Sequence, residues 1–224
     1  MSEDFVLSEL VIPGTYVRVR AEALISVGGI SSGNIGIVGT ANKGTGVTHT
    51  LSDYESAKSA LGEYDALTTG ALNLMRGIEV LYQNGARTVY ARALDPTTTP
   101  TTANYTTEFN ELLKEDVNIL IAPELSTANA VTVLQSLVDS AEGNGKDVIA
   151  VIGADATAVT GVPASGATPA VPGILDNVPN NKRIIMTAPG IHTLDATASK
   201  AQKKEIKVDL SGTYSAAAVA GLLS

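Results

Sequence analysis

Five short apolar runs govern what this chain can become: NIGIVGT (34–40), TVYARAL (88–94), VNILIAP (117–123), DVIAVIG (147–153) and RIIMTAP (183–189). NIGIVGT, VNILIAP, DVIAVIG and RIIMTAP are nearly continuous in apolar residues, as suits buried strands, while TVYARAL is strand-like by alternation, with Val89, Ala91 and Ala93 set against Tyr90 and Arg92. Segments with helical spacing fall between most of them. Strands alternating with helices predict an α/β body, a mostly parallel sheet with helices on both faces and right-handed crossovers. No repeat of solenoid length interrupts the rhythm.

The helices can be placed by their ends. LSDYESAKSALG has a start at Ser52, with Glu55 three residues on as a capping box and Gly62 as the stop. In LTTGALNLMRGIEVLYQNGA, residues Ala71, Leu74, Met75, Ile78 and Tyr82 share a face, and Asn84-Gly85 close it. DPTTTPTTANY reads as a loop, and a short helix over 107–114 follows it. Ser126 caps the next helix, whose inner stripe is Val131, Leu134, Val138 and Ala141 and whose end is GNGK. EIKVDL (205–210) is a weaker strand candidate. Residues 154–173, rich in Ala, Thr, Gly and Pro, are expected to form a mobile surface loop.

With 44% hydrophobic but only 4% aromatic residues and no tryptophan, the core has to be built from Val, Ile, Leu and Ala. The net charge of −8 disfavours binding to nucleic acid. The absence of cysteine excludes disulfides, thiolate metal sites and cysteine nucleophiles. No apolar run has the length of a membrane span, so no membrane insertion is expected. The acidic opening MSEDFVLSEL does not read as a signal peptide.

Ahead of this α/β body (33–224) lies a stretch without helical signals, residues 1–32, ending in the Gly/Ser joint GGISSG. It contains IPGTYVRVRAEAL (12–24), which reads as an extended N-terminal β arm. Val17 and Val19 occupy one face, and Tyr16, Arg18 and Arg20 the other. Such a strand needs a sheet to join, in its own body or in another molecule.

Motifs for chemistry are weak. GTANKGTG (39–46) follows a strand as phosphate loops do, yet it has neither the Gly-Lys-Ser/Thr order nor the G-x-G-x-x-G spacing. A strand-exit loop accounts for it. GISSG (29–33) matches a nucleophile elbow in letters only, because a strand follows rather than a helix. His49 and His192 stand far apart in polar, loop-like sequence and have no metal-ligand spacing. Asp53 and Glu55 fit helix capping better than acid–base work. Lys200, Lys203, Lys204 and Lys207 read as a solvated basic patch. No catalytic residue, cofactor site or metal site is expected.

An ordered set of stretches resembles the contractile tail sheath proteins of phages and related injection machines. PGTYVRV (13–19) is similar to that family's Pro-Gly-x-Tyr opening strand, and GIVGTANKGTG (36–46) to its G-x-V-G-x-A-x-x-G element. LYQNGARTVYARAL (81–94), EDVNILIAPEL (115–125) and YSAAAVAGLLS (214–224) resemble three further segments, with Ala86 in place of a second glycine. The resemblance implies a structural subunit of a virion tail, assembled in the host cytoplasm. It also implies that the arm, through Pro13, Gly14, Tyr16, Val17, Arg18, Val19 and Arg20, lends a strand to a neighbouring sheath subunit. Its other implied partners are the tail tube protein and the baseplate. In the family a C-terminal domain, facing the tube and carrying a second arm, lies past the point equivalent to Ser224. The alternative is a nucleotide- or small-ligand-binding α/β enzyme using Thr40 to Thr45, and an adaptor using the same arm is a third reading.

Overall fold

The computed structural model describes residues 33–63, 73–154, 179–188, 190–194, 199 and 202–224. The arm and hinge, and all but the first residue of the expected 154–173 loop, lie outside the described residues.

Six strands form the main sheet: β1 (Ile35–Thr40), β2 (Thr48–Leu51), β3 (Val89–Leu94), β4 (Ile119–Ile121), β5 (Ile149–Gly153) and β6 (Ile184–Thr187). Their order is β2-β3-β1-β4-β5-β6. Every neighbouring pair is parallel except β2 with β3. A smaller antiparallel pair joins β7 (Ile191–Leu194) to β8 (Lys207–Leu210). The helices are α1 (Tyr54–Leu61), α2 (Asn73–Gln83), α3 (Thr102–Leu112), α4 (Thr127–Gly143) and α5 (Ser215–Leu223), the last preceded by a 3-10 turn at Gly212–Tyr214. The fold is therefore α/β with a mostly parallel sheet, as the alternating runs predict.

The period-two pattern divides the core. Ile35, Ile37, Ile119, Ile121 and Val151 pack with Leu61, Leu74, Ile78 and Leu81 of α1 and α2 and with Ala216, Ala217 and Ala220 of α5. The intervening Val38, Leu120, Ala150 and Ile152 pack with Phe109 and Leu112 of α3 and Leu134, Leu137 and Val138 of α4. Strand residues pointing to alternate faces thus place helices on both sides. Ala216, Ala217 and Ala220 let α5 approach closely. Close approach is strict at Gly153, where a Cβ would stand 1.9 Å from the Gly212 carbonyl oxygen.

Local differences from the sequence reading have physical causes. The cap of α1 is Asp53, not Ser52: its carboxylate accepts the Ser56 N–H at 2.8 Å, and Ser56 replaces Glu55 in the box. A carboxylate is a stronger acceptor than a hydroxyl and complements the positive end of the helix. Helix α3 starts at Thr102, inside the stretch read as loop, because Thr101 and Asn104 cap it reciprocally. Ser126 does occupy the N-cap of α4 but makes no side-chain cap bond. The buried stripe of α4 includes Ala130, Val133 and Leu137, while Val131 is half-buried. Asn84-Gly85 do end α2: the Asn84 amide donates to the Val80 carbonyl at 2.8 Å, and Gly85 has φ +98. Strands β2 and β7 have no signal as strands in the sequence. Both histidines lie on them, His49 on β2 and His192 on β7.

Candidate functional site

The arm residues Pro13, Gly14, Tyr16, Val17, Arg18, Val19 and Arg20 lie outside the described residues. The described residues present two kinds of candidate site, the exits of the central strands and the free sheet edges.

Strand β1 has β3 on one side and β4 on the other. The chain therefore leaves β1 in one direction and β4 in the other, and the crevice at their carboxyl ends is where ligands bind in open α/β sheets. Here that crevice holds Glu124, from the turn after β4. Its Oε1 accepts the Thr40 N–H at 2.6 Å. Its Oε2 accepts the Thr40 hydroxyl at 3.0 Å and the Tyr105 hydroxyl of α3 at 3.2 Å. Burial pushes the Glu124 carboxyl up to about 7, against the three hydrogen bonds, which favour the ionised form. Tyr105 is pushed up by its own burial and then by the adjacent Glu124 charge. Tyr214 of the 3-10 turn is raised for the same reasons in the same order.

Two further N–H groups of the loop after β1 are also in use. Ala41 N–H donates to the Leu94 carbonyl and Lys43 N–H to the Leu61 carbonyl, each at 3.2 Å. His49 Nε2 lies 3.1 Å from the Gly44 carbonyl oxygen, and Thr45 bridges to Ala93. A phosphate cradle needs convergent unused N–H groups at a helix start. This loop instead runs into β2, and its N–H groups at Thr40, Ala41 and Lys43 serve the protein itself. Glu124 goes unnoticed in the sequence because one acid after Pro123 matches no motif. The only signal is its place one turn beyond a strand.

The sheet edges are the second candidate. The outer edges of β2 and β6, and those of the β7–β8 pair, have no strand partner among the described residues. Edge β2 is braced by Arg92 of β3, which donates to the Thr48 hydroxyl at 2.9 Å and pairs through Nε with Glu108 of α3. Edge β6 exposes Ile185. At its start Arg183 pairs with Asp147 and, at 3.3 Å, with Glu142. On the β7–β8 pair, Ile191 and Leu210 turn toward the core, while His192 and Asp209 pair on the exposed side. Lys203, Lys204 and Lys207 are exposed beside them, and Lys200 lies outside the described residues. Among the described residues no cluster of His, Cys, Asp or Glu is placed to hold a metal ion, and no helix is long and apolar enough to cross a membrane.

No protein-family model and no curated protein matches the chain. Solved structures do. The helical sheath of the anti-feeding prophage in its contracted state is similar over 94% of this chain and 51% of its own, with a TM-score of 0.56 and 13% identity. The baseplate structure of the same particle, six-fold symmetrised, matches over 94% of this chain and 51% of its own, with a TM-score of 0.55 and 14% identity. A sheath tail protein from Desulfitobacterium hafniense matches over 93% and 61%, with a TM-score of 0.53 and 11% identity. The chain spans about half the length of the first two and 61% of the third. It has a contractile-tail-sheath-like fold, and these neighbours are components of tail-like particles.

Proposed function

We propose that this chain is a structural subunit of a contractile tail sheath, which polymerises around a tail tube and contracts to drive the tube through a cell envelope. The observation that carries this reading is the fold: over 94% of its length the chain follows a protein of a contracted helical sheath. The arm supplies the link between copies. Val17 and Val19 pack on the sheet of an adjacent subunit, and Arg18 and Arg20 stay hydrated or meet its carboxylates. Charged residues on such a strand also discourage indiscriminate pairing. The glycines and serines at 28–33 let the arm hold while the bodies rotate. A helical array of this kind uses two different faces of each subunit, and energy is stored in contacts that improve on rotation. Other sheath subunits, the tube protein and the baseplate are the partners, and no cofactor takes part.

The competing reading, a nucleotide-binding or small-ligand enzyme domain at Thr40–Thr45, is disfavoured by the crevice itself, where Glu124 uses the Thr40 donors. The decisive test is deletion of residues 1–20 in the full-length gene product. Electron microscopy is expected to show no tubes or sheath-like particles, while circular dichroism shows a folded body. Normal sheaths from the deletion would sink the proposal.

A further inference from the structure

The crevice at the exits of β1 and β4 is shaped and hydrogen-bonded for a carboxyl group. The Thr40 N–H, the Thr40 hydroxyl and the Tyr105 hydroxyl converge on it from two elements. Gly39 leaves bare backbone beside it, since a Cβ there would lie 2.2 Å from Glu124 Oε1. The donors are divided between two oxygens. One receives a backbone N–H, and the other receives two hydroxyls. That is the pattern of a planar carboxylate whose second carbon points back toward β4.

We propose that this crevice is a carboxylate-binding site that carries its own occupant: Glu124 is an internal ligand, and a free small monocarboxylate takes its place when the Glu124 side chain is removed. The ligand class follows from shape as well as from the pattern of donors. The cleft accepts a flat two-oxygen head between Gly39 and the two hydroxyls, with Leu74 also close, its Cβ 3.1 Å from where a Gly39 Cβ would stand. A tetrahedral phosphate would place a further oxygen against these walls. The titratable groups around the site are Tyr105 from α3 and Tyr214 from the 3-10 turn, which also senses Arg76 of α2; Arg76 in turn pairs with Glu79 at 3.2 Å.

The test is chemical rescue of Glu124→Ala in the full chain, melted in sodium acetate, in sodium formate and in sodium chloride of equal ionic strength at neutral pH. At acetate about ten times its Kd, the folding equilibrium of the variant should shift about tenfold. The wild type, whose site is full, should not respond. Thr40→Val in the Glu124→Ala background should abolish the rescue. Equal responses to acetate in wild type and variant would overturn the proposal. If Glu124→Ala does not fold, the wild-type Thr40 amide resonance serves as the readout. It should move with pH through the titration of Glu124 and become static in Glu124→Gln. A Thr40 amide that ignores pH between about 5.5 and 8.5, the range in which a carboxyl raised to about 7 titrates, would equally reject the idea.

Discussion

The Thr40 N–H and the Glu124 carboxylate meet at 2.6 Å although 84 positions separate them in the chain. Their bond closes the exits of two adjacent parallel strands over each other. It also turns the region best suited to a ligand into part of the fold.

The first expectation concerns pH. The folded-state value for Glu124 is raised from 4.5 to about 7, so the folded state binds this proton more tightly than the unfolded chain does. The group's contribution is fully present below about 4.5 and is lost as pH rises through about 7. A displacement of this size corresponds to about 3 kcal/mol. Asp53, Asp95, Glu111 and Glu142, all held below their ordinary values by hydrogen bonds, act in the opposite sense at lower pH. Urea denaturation between pH 5.5 and 8.5 should therefore show falling stability in the wild type, with the slope flattened in Glu124→Gln. An identical slope in both proteins would remove Glu124 as the cause.

A second expectation follows from Arg92. Its side chain and that of Glu108 are only 9% and 17% exposed. Arg92→Ala leaves a largely buried carboxylate without its partner and should cost about 3 kcal/mol. Arg92→Met combined with Glu108→Leu should recover much of the loss, since an apolar pair needs no compensation. Denaturation midpoints of the single and double variants measure this, and an additive loss in the double variant would contradict it.

A third rests on packing. Gly153→Ala drives a methyl group into the Gly212 backbone, which belongs to the turn that starts α5. The expected loss is about 3 kcal/mol or failure to fold, because backbone rather than a flexible side chain must move. Gly143→Ala is the control: nothing lies within 4 Å of a Cβ at that position. Similar melting temperatures for the two variants would refute the packing argument.

A fourth separates the functional readings. Because the N–H groups of Thr40, Ala41 and Lys43 are already bonded, ATP, GTP and NAD with magnesium should leave the melting temperature unchanged. A rise of several degrees with any of them would favour the enzyme reading.

The sheet body was legible in the sequence because β1, β3, β4 and β5 are almost wholly buried and the edge strand β6 still carries an apolar run. NIGIVGT, TVYARAL, VNILIAP, DVIAVIG and RIIMTAP all became strands of the main sheet. Residues Leu74, Met75 and Ile78 were found on α2 from their spacing alone. The illegible elements are those whose structure comes from distant partners. THTL (48–51) is mostly polar and becomes β2 through pairing with β3 and the Arg92–Thr48 bond. IHTL (191–194) becomes β7 only against β8. Thr102–Asn104 looked like loop because Thr and Asn are poor helix formers, and the reciprocal Thr101–Asn104 cap overrides that weakness. Glu124 was invisible for a different reason: a lone acid acquires meaning only when the exits of β1 and β4 and helix α3 converge on it.

The two bonds of Arg92 have a mechanical consequence. Its guanidinium joins the marginal strand β2 to the helical layer by way of Glu108. Tension applied at Thr48 is therefore shared between the backbone ladder and a side-chain strut, so the stiffness of that rim depends on one arginine as well as on four residues of strand.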